Sequence, residues 1–132
     1  MLTLDMILSE NRTASRDEAY LLHAVKSSPF VARLLSKDAQ LMSDLLNNLH
    51  QPYQTEHMQS ELATQNIFDE NVLKQQLRQL RQRVIARIIV RDLNGLADFH
   101  EVVASTSALA EVTLQQAIGF HSALLQTQYG VP

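Results

Sequence analysis

The sequence predicts an all-α fold, an irregular bundle of about six to seven helices around one long central helix over about residues 70–93. Three observations predict it. First, between Asp69 and Gly95 the residues Leu73, Leu77, Leu80, Val84 and Ile88 recur every three to four positions, the spacing of one helix face. Ile85 and Ile89 widen that stripe until the second half is apolar over most of its girth, so this helix needs partners on more than one side. Second, the chain holds only three Gly and three Pro and no extended β-rich run. Third, helix start signals precede one apolar periodic segment after another.

In chain order, residues 1–14 are apolar without a clean period and read as a short helix or a docked arm followed by a loop. Ser15-Arg-Asp-Glu18 fits a capping box and opens a helix to about Ser27, with Leu21, Leu22 and Val25 inward. Ser28-Pro29 restarts a helix, Ser as cap and Pro at the first helical position, and Phe30, Val31, Leu34 and Leu35 form its inner face. Ser36 to Asp38 breaks it, and a third helix follows from Ala39 to Leu49. Pro52 closes that helix in a His50–Tyr53 loop. Thr55 to Asn66 is a weaker helix with Met58 and Leu62 inward, the most exposed and mobile segment by its polarity. The long helix starts at a capping Asp69 and stops at Gly95, which supplies a left-handed residue. Asp98 caps a short helix to Ala104, and Ser105 or Ser107 caps a final one over about Thr106–Gln128, weakened at Gly119 and ended at Gly130.

Composition narrows the function classes. The 132 residues fit one domain with a real core. A net charge of −3 gives no global attraction to nucleic acid or anionic membrane. Zero cysteines exclude disulfides and thiolate metal sites and suit a reducing cytosol. The N-terminus lacks a basic, then apolar, secretory pattern, and no stretch approaches a membrane span.

The chain's charge is concentrated on the long helix. Lys74, Arg78, Arg81, Arg83, Arg87 and Arg91 are six of the 11 Lys and Arg. Arg83, Arg87 and Arg91 share one line, one helical turn apart, and could face phosphates. The favoured reading is a solvated face whose cations pair with acidic residues on neighbouring helices. Asp92 lies near the negative end of the helix dipole, so a cationic partner is expected for it, fixing the turn at Gly95. Arg83, Arg87, Arg91, Asp92 and Gly95 are therefore the candidate structural or docking residues.

No residue is assigned a catalytic, cofactor-binding or metal-binding role. His57 and Glu61 sit one turn apart, but two ligands do not make a metal site. His100 reads as a surface or interhelix residue, and His23 and His121 as hydrogen-bonded packing residues. Nucleophile-elbow and GxxxxGK patterns are absent.

The run Arg81 to Asp98, with its Arg-rich helix ending in Arg91-Asp92-Leu93-Asn94-Gly95, resembles the bacterial glutamine synthetase adenylyltransferase/deadenylylase family. The resemblance continues through Asp98–Glu101 and a Thr106–Glu111 run that lacks the family's leading Leu. Upstream, Ser28–Arg33 and Tyr53 are also similar, so it spans roughly residues 20–130. It implies a parent enzyme that uses ATP to attach AMP to a Tyr of glutamine synthetase. A second active site there removes AMP by phosphorolysis; both depend on Mg2+ and respond to glutamine and the PII signal protein. The family's catalytic signature, a Gly-rich turn followed by Ser-Asp-x-Asp, has no counterpart here, since Ser43-Asp44 runs straight into Leu45-Leu46.

The resemblance thus implies a helical N-terminal part of a larger deadenylylase domain, bacterial and cytoplasmic, inactive alone and packed against the catalytic nucleotidyltransferase part. ATP and Mg2+ belong to the parent and not to this chain. The alternative is a stand-alone module that binds an acidic partner through its Arg-rich helix. A nucleic-acid-binding domain resting on the arginine row ranks below both, given the acidic balance.

Overall fold

The computed structural model describes Leu4, residues 15–64 and residues 69–130. These form six helices and no strand: α1 (Arg16–Ser27), α2 (Pro29–Lys37), α3 (Ala39–Asn48), α4 (Thr55–Ala63), α5 (Glu70–Leu93) and α6 (Phe99–Tyr129). Short polar side chains open five of them by accepting a backbone N–H three residues on. Ser15 Oγ caps α1 at 3.2 Å and Ser28 Oγ caps α2 at 3.3 Å. Asp38, Asp69 and Asp98 do the same for α3, α5 and α6, at 3.2, 2.8 and 2.8 Å. The break expected at Ser36–Asp38 is therefore also the next helix's start. Only α4 begins without a side-chain cap.

Two apolar cores lie along α5. The first joins Leu21 and Ala24 of α1, Val31 and Leu35 of α2, and Leu41, Met42 and Leu45 of α3 to Ala86 and Val90 of α5. The second joins Tyr53, Met58 and Leu62 to Leu80 and Val84 of α5 and to Leu109 and Val112 of α6. The long helix is central for this reason: each of its halves closes a different core, as its wide apolar girth requires.

The turn after α5 takes a specific form. Gly95 has φ +69°. Leu96 N–H donates to Arg91 O at 2.8 Å, and Gly95 N–H to Asp92 O at 3.1 Å, the paired bonds of a Schellman stop. Leu96 then packs on the first core. A Cβ at Gly95 would meet nothing within 4 Å, so only backbone strain opposes a side chain there. Gly95→Val is expected to cost about 1–2 kcal/mol, because a β-branched residue resists the left-handed region. Urea denaturation checks it, and an unchanged midpoint would mean that the turn does not depend on glycine.

Four expectations need correction. Residues 99–129 form one helix rather than two: no Gly or Pro interrupts Ser105–Ser107, Ser105 is buried, and the Thr106 hydroxyl donates back to Val102 O at 2.7 Å instead of capping. The 55–66 helix ends at Ala63 and is not the most exposed segment, since Met58 and Leu62 are core residues. The most exposed stretch is the second half of α6, where no residue beyond Val112 is buried. His23 and His121 are exposed instead of packed. The readings of residues 1–3 and 5–14, and of residues 65 and 66 at the end of the expected 55–66 helix, fall outside the described residues.

Candidate functional site

Arg83, Arg87 and Arg91 do share one face of α5, but that face points into the protein. Arg91 is 5% exposed and Arg87 4%. Their inward position follows from the helix period. Arg87 and Arg91 fall one turn apart beside Val84, Ala86 and Val90, where α5 is covered on several sides. The three still-exposed cations of the helix are Lys74, Arg78 and Arg81.

Arg91 joins three elements. Its Nε and Nη2 donate to both Glu101 carboxylate oxygens at 2.7 and 2.8 Å, a bidentate pair between α5 and α6. Nη1 donates to Leu49 O at 2.7 Å, at the carbonyl end of α3, and Nη2 also to Leu96 O at 2.9 Å. The cation thus answers orphan carbonyls where the α3 dipole favours positive charge. Asn94 adds a second tie, donating to Tyr20 O and Val90 O at 2.8 Å each. Asp92 is exposed, and of the helix arginines expected to pair with it, Arg91 bonds Glu101 and Arg83 bonds Glu61.

Arg83 anchors a separate network. Its Nε and Nη2 donate to Glu61 Oε2 at 3.2 and 3.1 Å, while the Tyr53 hydroxyl donates to Glu61 Oε1. His57 Nε2 lies 3.3 Å from the same oxygen, and its ring stacks on Tyr53 with centroids 5.1 Å apart. Burial is the largest single influence on Arg83 and opposes its charge, but Glu61 and Tyr53 together outweigh it and raise the guanidinium pKa. Burial, reinforced by Glu61, pushes the Tyr53 phenol well above its usual range. Arg87 lies over the Tyr53 ring at 4.0 Å from its centroid, and burial lowers its pKa. A pocket of about 110 Å³ opens between α3, α4 and α5, lined by Asp44, Asn48, Tyr53, His57, Arg83 and Arg87 among others.

The raised phenol pKa gives a pH prediction. The native state holds the Tyr53 proton more tightly than the unfolded chain, whose phenol titrates near 10.0. Stability is intact below that pH and falls above it, by about 1.4 kcal/mol per pH unit for one proton. Denaturation midpoints between pH 9 and 11 should drop in the wild type, and the part due to this proton should vanish in Tyr53→Phe. Equal slopes in both proteins would sink the assignment.

Sequence reasoning missed Glu61, Glu101 and Tyr53 as partners of the arginine row. Two signals were present. Glu61 borders the Met58–Leu62 apolar face, and Glu101 sits three residues after the capping Asp98. Neither states which arginine it meets across 22 or 10 residues of chain. Among the described residues no group of three His, Cys, Asp or Glu is placed to hold a metal, and no helix is long and apolar enough to cross a membrane.

Comparison with known proteins bears on what this bundle belongs to. The sequence profile described as glutamate-ammonia ligase adenylyltransferase matches residues 19–132. The bifunctional glutamine synthetase adenylyltransferase/adenylyl-removing enzyme of Nitrosomonas eutropha is 40% identical over 124 residues, covering 91% of this chain and 13% of that protein. The enzymes of the same name from Aromatoleum aromaticum and Chromobacterium violaceum are 38% and 37% identical, over 85% and 86% of this chain. This chain spans only 13%, 12% and 13% of the three relatives' lengths. No solved structure matches it. With the profile running through all but the first of the six helices' opening turn, from before Leu21 to past Tyr129, the chain belongs to the glutamate-ammonia ligase adenylyltransferase family.

Proposed function

We propose that this chain is the helical N-terminal segment of a glutamine synthetase adenylyltransferase/deadenylylase. It scaffolds the part of the parent enzyme that removes AMP from adenylylated glutamine synthetase by phosphorolysis. The parent also adds AMP from ATP, uses Mg2+, and answers to PII and glutamine in regulating nitrogen assimilation. The segment carries no residue for the chemistry; its role is to pack against the catalytic part and shape the cleft where the modified protein docks.

The observation that carries this reading is the uncovered apolar stripe on α6. Leu114 is 61% exposed, Ile118 56%, Leu125 54% and Tyr129 80%. Their spacing puts all four on one side of the helix, and this half of α6 extends beyond the core that holds Leu109 and Val112. A patch of that kind marks a surface that another element covers. The relatives, of which this chain spans 13% or less, supply a long remainder to do so. The stand-alone module reading has lost much of its surface, because Arg83 and Arg91 are spent on internal contacts and Arg87 is buried.

The test is binding in trans. The next few hundred residues of the parent, produced separately, should bind this chain, and Leu114→Glu with Ile118→Glu should abolish binding without loss of helical circular dichroism. A parent remainder that does not bind the wild-type chain, or that binds the doubly substituted chain equally well, would overturn the scaffold.

A further inference from the structure

Arg87 presents an anomaly that the scaffold role leaves untouched. The residue is 4% exposed, and its Nε is fully covered with no hydrogen-bond partner among the described residues. The contact that the structure gives this cation is the face of the Tyr53 ring. Its neighbours on the helix are answered: Arg83 by Glu61, and Arg91 by Glu101 and two carbonyls. Glu61 itself is saturated, accepting from Tyr53 and Arg83 with His57 alongside. Asp44 lines the same pocket, but its carboxylate accepts from Gln40 at 3.2 Å and forms no ion pair with Arg87. A buried N–H without an acceptor is costly, and the planar fork of the guanidinium suits an oxyanion.

We propose that the pocket between α3, α4 and α5 binds a small free oxyanion, of carboxylate or phosphate type, on the Arg87 guanidinium. The volume of about 110 Å³ suits such a group. Asn48 and His57 add polar groups at the walls. Asp44 and Glu61, both in the lining, disfavour a second negative charge, so the site selects a monoanion over a dianion.

The experiment follows the arginine Nε–H resonances of the 15N-labelled chain while sodium phosphate, sodium acetate or sodium chloride is added at constant ionic strength. The Arg87 resonance, assigned by its loss in Arg87→Lys or, should that variant fail to fold, by its contacts to the Tyr53 ring protons, should shift saturably with phosphate or acetate and not with chloride. The more tightly saturating of the two identifies the ligand type. Asp44→Asn should tighten binding by roughly threefold or more, since one opposing charge is removed. No saturable shift, an equal shift with chloride, or weaker binding in Asp44→Asn would each overturn the proposal and leave Arg87 as a cation stacked on Tyr53.

Discussion

Replacing Arg91 by methionine is expected to destabilise the chain by about 3–5 kcal/mol, the range for breaking a buried ion pair from one side. Methionine keeps the length of the side chain and much of its packing. It leaves the Glu101 carboxylate, whose side chain is 22% exposed, with no cation, and the Leu49 and Leu96 carbonyls with no donor from this side chain. Arg91→Lys should recover only part of the loss, because one ammonium cannot reach both carboxylate oxygens and two carbonyls in the plane the guanidinium spans. Arg91→Met with Glu101→Leu should recover more than the lysine variant, since no charge is then stranded. Urea denaturation measures all three. A loss under about 1 kcal/mol for Arg91→Met would show that the contacts are solvent-screened and hold nothing together.

That expectation marks where sequence reasoning ran out. The long helix was legible to the residue at both ends, because Asp69 and Gly95 each act locally: one accepts the Val72 N–H, the other takes a positive φ. The caps at Ser15, Ser28 and Asp98 were legible for the same reason. The serines at 105 and 107 misled because a cap is a property of a helix end, and nothing near them ends the helix. The arginine row was found, and its pairing with acids on other helices was expected, yet its burial was not. The default for a charged line is solvent, and what overrides it here is the second core, formed by Tyr53, α4 and α6 closing over the far side of α5. Glu61 and Glu101 become partners only through that closure, so no local pattern could name them. The same holds for the pocket beside Arg87, whose walls come from three helices.

Leu80→Ala is the second large expected effect, about 3 kcal/mol or more, from lost transfer energy and the cavity left in a site that is 0% exposed. Its location makes it informative beyond its size. Leu80 belongs to the core of Tyr53, α4 and α6, and contributes nothing to the core of α1, α2 and α3. The two cores are nevertheless fastened to each other. Ala86 and Val90 extend the same helix into the first core, and Arg91 bonds Leu49 at the end of α3 to Glu101 on α6. A helix that is continuous from Glu70 to Leu93 cannot lose its second-core half without loosening the residues that close the first. Amide hydrogen exchange should therefore show protection falling equally at Leu21 and Ala24 of α1 and at Met58 and Leu62 of α4. A fall confined to α4 would mean that the cores open separately, and that α5 and the Arg91 contacts transmit less than the cost of parting them.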